Sequence, residues 1–121
     1  MSGVTTAKIR AWAMALPEVI EKQHHLFKVP VWQVRGRTFV GMGRDESSAV
    51  FCIPEDSAAA AAAADPAHAA AVRRKDARRS FLGLEAQLAG LPAQRVEALV
   101  REAWAAQAPK RLAARYLGSA G

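Results

Sequence analysis

The alternation of apolar and polar residues in the middle of the chain predicts three consecutive β-strands. Residues 31–34 and 38–42 are rich in β-branched and aromatic side chains, which favour a pleated backbone. The short connection between them contains Gly36, which can supply the positive φ of a tight hairpin turn. A third apolar run covers 49–53 and stops at Pro54. We therefore expect an antiparallel meander that needs helices on one face to bury it.

The start of the chain predicts an amphipathic helix from about Thr5 to Leu16, capped by a threonine and stopped by Pro17. Its apolar stripe should lie on the sheet. The next segment has a weaker pattern, and its polar centre, residues 21–25, is consistent with a solvated edge strand. The helical stripe consists of Ile9, Trp12, Ala13 and Leu16.

After the meander, Pro54 predicts the start of a helix that seven alanines continue to Ala64. Asp65 and Pro66 interrupt it, and a further helical turn or two is expected over 67–72. A charged connector, 73–79, then leads to a short apolar strand at 80–84.

The last third predicts a helix from Pro92 to about Ala108, with apolar residues at helical spacing and a single polar one, Gln107, on the stripe. A shorter helix follows and ends at Leu117. The resulting order, α-β-β-β-β-α-β-α-α, describes one α+β domain over residues 1–121. Its antiparallel sheet should contain about five strands, covered by the N-terminal and C-terminal helices.

Composition narrows the class of protein. Hydrophobic residues make up 51% of the 121 residues, and no apolar run approaches the roughly 20 residues that span a bilayer. The first residues lack the apolar core of a signal peptide, so no export is expected. Cys52 is the single cysteine, which excludes an internal disulfide and fits a reducing cytoplasm. We expect a soluble, cytoplasmic protein.

The formal net charge is +6, and a basic protein suits an acidic partner such as nucleic acid. Most of the excess lies in the second half of the chain. An abundance of alanine and arginine is also a bias that some genomes impose on all their proteins. The positive charge can therefore reflect either an acidic partner or this compositional bias.

Several short motifs together resemble the MmcQ/YjbR family of small bacterial proteins. The family pattern has a helix ending in Leu-Pro, a strand pair around V-x-G-[KR]-x-F, a proline-led helix, a G-W-[VL]-G-[VL] strand and a late A-W…A-P-K-[KR]-L segment. Ser80-Phe81 stands where the family usually has Gly-Trp. The matching residues are Leu16-Pro17, 34–39, 53–55, 80–84, Ala103-Trp104 and 108–112.

This resemblance implies a frataxin-like, double-wing fold and a DNA-binding label that rests on fold similarity. Frataxin-type iron binding is not implied, since that needs an acidic ridge and the first predicted helix has no acidic residue. The candidate phosphate contacts come from three groups of cations: the hairpin pair Arg35 and Arg37, the connector residues Arg73, Arg74, Lys75, Arg78 and Arg79, and the late pair Lys110 and Arg111. Each group also has a structural interpretation: the connector is a solvated segment, the hairpin pair is an ordinary charged turn, and the late pair caps a fold junction.

The sequence gives little support for a metal site or for catalysis. His24 and His25 are adjacent on a predicted strand and point to opposite faces, which argues against a shared metal ion. Cys52 has no basic sequence neighbour to activate it and is expected to be a buried structural thiol. The three tryptophans, Trp12, Trp32 and Trp104, are expected in the core. No P-loop, dinucleotide, zinc-protease or serine-hydrolase motif occurs.

We therefore expect a non-enzymatic domain without cofactor or metal that binds DNA through its basic second half, as a monomer or weak dimer. The alternative is a protein-interaction or small-ligand-binding domain that uses its sheet face or a pocket near Trp32 and Trp104.

Overall fold

A computed structural model describes residues 4–24, 26–73 and 81–120; the side chains of 73, 81, 82 and 117–120 are left out of that description. Four α-helices and six β-strands are found there. The helices are α1 (Thr6–Met14), α2 (Glu55–Ala64), α3 (Ala93–Gln107) and α4 (Lys110–Ala120), and the strands are β1 (Val19–Gln23), β2 (Pro30–Val34), β3 (Arg37–Met42), β4 (Ser48–Phe51), β5 (Ala69–Arg73) and β6 (Phe81–Gln87).

The six strands form one antiparallel sheet in the order β1-β2-β3-β4-β6-β5. The α+β class and the β2-β3-β4 meander are confirmed, with six strands rather than about five. Trp32 pairs with Val40 and Gln33 with Thr38, so Phe39 is an extra residue on β3 and forms a β-bulge. This bulge explains why the consecutive residues Phe39 and Val40 are both buried.

The core lies on one face of the sheet. Trp32, Val40, Phe51 and Leu84 occupy the same row across β2, β3, β4 and β6, and none is more than 1% exposed. Helix α3 packs on β3 and β4, α1 on α3 and β1, and α2 on β5 and β6. Burial of each large side chain in this row contributes roughly 1.5–3 kcal/mol.

The predicted N-terminal elements are confirmed. Thr5 caps α1, and its hydroxyl accepts a 3.2 Å hydrogen bond from the amide of Lys8. Ile9 and Ala13 are fully buried, although their helix packs on α3 as well as on the sheet. Strand β1 is an edge strand, exposed over 20–23, as its polar sequence predicted.

The prediction of further helix over 67–72 is wrong, because most of that segment is β5. Helix α2 ends at Ala64 with Asp65 as its C-cap, and the carboxylate of Asp65 lies 3.0 Å from Nδ1 of His68 in the turn that follows. Residues 69–73 then pair with β6 along their whole length. Backbone pairing outweighs the intrinsic helix propensity of the alanines here. Strand β6 also runs three residues past its predicted end, and α4 continues past Leu117 to Ala120.

None of the helices in the described part of the chain is long and apolar enough to cross a membrane.

Candidate functional site

The β2–β3 turn presents two of the predicted cations at one end of the sheet. Strand β2 ends at Val34, which pairs with Arg37, the first residue of β3. The two turn residues have positive φ, 51° at Arg35 and 81° at Gly36. This is the pattern of a type I′ hairpin turn, in which glycine, asparagine or aspartate is preferred at both positions. Arg35 therefore has a left-handed backbone conformation that is unfavourable for arginine.

Arg35 forms a two-pronged ion pair with Glu18, which precedes β1. Its Nε and one terminal nitrogen donate to the two carboxylate oxygens, the second bond at 3.1 Å. The hydrogen bond from Arg35 lowers the pKa of Glu18, and Arg115 on α4 lowers it further by its charge. Glu18 also has a positive φ, 60°. One carboxylate thus lies between a cation of the turn and a cation of α4.

Arg37 is held by the end of α3. Its Nε donates to Oε1 of Gln107 at 3.2 Å, and Nε2 of Gln107 donates to the carbonyl of Cys52 at 3.0 Å. Gln107 therefore joins β3, α3 and the segment after β4. Because this bond uses Nε, and no other described residue bonds to the Arg37 side chain, both terminal nitrogens can still donate to an anion.

The start of α4 adds three more cations. Lys110 is three residues beyond Gln107, so their Cα atoms are at most about 11 Å apart. Arg111 and Arg115 are one turn apart on one face of α4 and are both exposed. Like charges at this spacing destabilise a helix by a few tenths of a kcal/mol. No described residue forms an ion pair with Lys110 or Arg111.

We call this surface the basic end. It combines five cations with one carboxylate, Glu18, and its members are Arg35, Arg37, Lys110, Arg111 and Arg115. The structure thus brings the predicted hairpin pair and the predicted late pair together. Clustered guanidinium groups with free donors bind phosphate oxygens in defined geometry.

The predicted connector lies mostly outside the described residues: Arg74, Lys75, Arg78 and Arg79 are not described, and for Arg73 only the backbone is. Strand register places Arg73 and Phe81 at the same end of the sheet as the β2–β3 turn. Three strand spacings, roughly 14 Å, separate the β2–β3 pair from the β6–β5 pair. The acidic residues Glu55 and Asp56 lie in the first turn of α2, which begins shortly after β4 ends at Phe51.

The tryptophans take structural positions. Trp32 is fully buried and donates its indole N–H to Glu21 at 3.0 Å, while Trp104 is 1% exposed and donates to the carbonyl of Pro17 at 3.1 Å. Both indoles are therefore part of the packed core. Trp12 packs against the core at partial exposure, and Cys52 is buried as predicted.

Sequence reasoning missed three residues of the basic end and its supports: Glu18, Gln107 and Arg115. Gln107 carried a signal, because it is the polar residue on an otherwise apolar helical stripe. Glu18 and Arg115 carried none, since their association depends on the crossing of α4 with the chain before β1.

A family model described as YjbR matches residues 14–106 of this chain. This range includes the β2–β3 turn, Glu18 and all of the sheet, but ends one residue before Gln107. No curated protein and no solved structure gives a significant match.

Proposed function

We propose that this chain, which belongs to the YjbR family, is a non-catalytic module that binds the phosphate backbone of nucleic acid through the basic end. The observation that carries the proposal is the convergence of turn and helix cations around Glu18, with Arg37 held in place by Gln107. Phosphate contacts supply most of the affinity of non-specific nucleic-acid binding.

Two locally unfavourable features of the basic end support a ligand-binding role. Arg35 has a left-handed backbone, which costs on the order of 1 kcal/mol relative to glycine, and Arg111 and Arg115 repel each other across one helical turn. Arginine at position 35 and the pair of arginines on α4 each lower the stability of the fold, and each adds positive charge to the basic end. Locally unfavourable residues are expected where function requires them.

The test is fluorescence anisotropy with labelled duplex and single-stranded DNA across a salt series. Five cations and one carboxylate leave about four net charges, so log K should fall against log salt with a slope near −3.6 on duplex. A triple variant, Arg37→Gln, Lys110→Gln and Arg111→Gln, should flatten the slope toward about −0.9, because about three phosphate contacts are removed.

The matched control removes the same charge from elsewhere on the domain, with Lys8→Gln, Lys22→Gln and Lys28→Gln. These residues lie on α1, on β1 and in the β1–β2 loop, and all are exposed. A second arm, Arg73→Ala, Arg74→Ala, Arg78→Ala and Arg79→Ala, tests the connector separately. Equal weakening by the basic-end and control triples would show that overall charge, not this surface, drives binding. Absence of wild-type binding at low salt would exclude the proposal.

A further inference from the structure

A shallow groove of about 390 Å³ runs between α2 and α3, on the helical side of the domain. Alanines of α2, including Ala60 and Ala64, form one wall, and Ala98 and Leu99 of α3 form the other. Ala60, Ala64 and Ala98 are all exposed. Such small side chains allow the backbone of a second helix to approach closely.

Two opposite charges mark the ends of the groove on α3. Arg95 and Glu102 both line it and are both exposed. They are seven residues apart, so they lie on one helix face about 10.5 Å apart and cannot pair with each other. No described residue forms an ion pair with either one. The neighbouring face of the same helix differs, since Glu97 and Arg101 form an ion pair at 3.3 Å.

The midpoint between Arg95 and Glu102 falls between Ala98 and Leu99. A two-fold axis through that midpoint would set a second α3 antiparallel to the first. Arg95 of each chain would then face Glu102 of the other, and the exposed Ala98 of each chain would lie beside the axis, whereas Leu99 belongs to the core. A two-fold interface requires this kind of self-complementarity, in which the same patch serves both partners.

We propose that the α2–α3 groove is the interface of a symmetric homodimer, with two Arg95–Glu102 ion pairs around an apolar centre. The helices are about 15 and 22 Å long, so the patch is smaller than a standard interface and the dimer is weak. The inference does not depend on nucleic-acid binding, since none of these residues belongs to the basic end.

Sedimentation equilibrium of wild type and charge-reversed variants tests the interface. Arg95→Glu gives a wholly acidic patch and Glu102→Arg a wholly basic one, and each should weaken self-association by about tenfold or more, because two attractive pairs become repulsive. The double exchange, Arg95→Glu with Glu102→Arg, should restore dimers. An equimolar mixture of the two single variants should form heterodimers more tightly than either variant forms homodimers.

A matched control exchanges the charges of the neighbouring pair, Glu97→Arg with Arg101→Glu, and should leave association unchanged. As a second readout, Ala98→Cys should give an oxidised disulfide-linked dimer, whereas Lys22→Cys on the edge strand should not. Circular dichroism checks that each exposed substitution leaves the fold intact. A wild type that stays monomeric at about 1 mM, or single variants that associate as well as wild type, would overturn the proposal.

Discussion

Gln107 is expected to stabilise the domain and to position Arg37 through two separate hydrogen bonds. The variant Gln107→Met keeps the length and helix propensity of the side chain and removes both bonds, one to the carbonyl of Cys52 and one from Arg37. The bond to the carbonyl is partly buried and contributes about 1 kcal/mol. The bond from exposed Arg37 contributes a few tenths of a kcal/mol.

The expected loss is therefore about 1–1.5 kcal/mol. For a 121-residue domain, each kcal/mol corresponds to roughly 4 °C in Tm, so Tm should fall by about 4–6 °C in differential scanning calorimetry. A double-mutant cycle with Arg37→Met separates the two bonds, because only the Arg37 bond contributes to the coupling energy.

The same variant should weaken DNA binding without changing the net charge. Arg37 would no longer be held before binding, and ordering such a side chain costs about 0.5–1.5 kcal/mol, which corresponds to a loss of about two- to tenfold in affinity. A Tm within about 1 °C of wild type would refute the structural reasoning. Unchanged binding by Gln107→Met, together with weaker binding by Arg37→Met, would show that Arg37 acts without positioning by Gln107.

Two further predictions concern the sheet. Hydrogen bonding from Arg10 lowers the pKa of Glu21 below its usual 4.5. The stability it contributes is present above that pH and is lost as pH falls through the lower folded-state pKa. The difference in Tm between wild type and Glu21→Gln should therefore shrink below about pH 4.5, and a pH-independent difference would contradict this. Gly83→Ala should destabilise the domain by about 2 kcal/mol or more in urea unfolding, because its Cβ would lie 2.4 Å from the carbonyl oxygen of Phe51; a neutral effect would argue against close pairing of β4 with β6.

The meander and the core could be predicted because their signals are local. Alternating apolar residues and a glycine in the turn were enough to place β2, β3 and β4, and the apolar stripe of α3 marked the buried face of that helix. Strand β5 could not be found in this way. Its sequence, Ala69–Arg73, has the composition of a helix, and it becomes a strand because β6 supplies backbone partners for every residue.

The candidate site could be predicted only in part, because its residues come together through the tertiary fold and not through the local sequence. The cations of the turn and of α4 were visible as residue types, but their proximity depends on how α3 and α4 lie relative to the β2–β3 turn. Glu18 is the clearest example of a site residue that the sequence could not predict. Its role requires the hydrogen bonds from Arg35 and the nearby charge of Arg115, and these residues are 17 and 97 positions away in the sequence.

Backbone strain alone does not identify the basic end, because left-handed residues occur at both ends of the sheet. Glu18 and Arg35 have this conformation at one end, and Lys28 and Glu46 at the other, with φ between 51° and 62°. Asparagine adopts such a backbone more readily than arginine or lysine. Arg35→Asn should therefore relieve the turn while losing the exposed ion pair, and its stability should stay within about 1 kcal/mol of wild type.

Lys28→Asn is the matched control, since it relieves the same backbone conformation and removes the same charge at the opposite end. If the basic end binds phosphates, only Arg35→Asn should alter binding to duplex DNA. Removal of Arg35 has two effects of the same sign, because one cation is lost and Glu18, without its ion-pair partner, becomes a negative charge that repels the DNA. We expect the repulsion to add to the lost cation and the affinity to fall by about tenfold. Equal binding by the two variants would instead show that Glu18 neutralises Arg35 and that α4 and Arg37 bind without it.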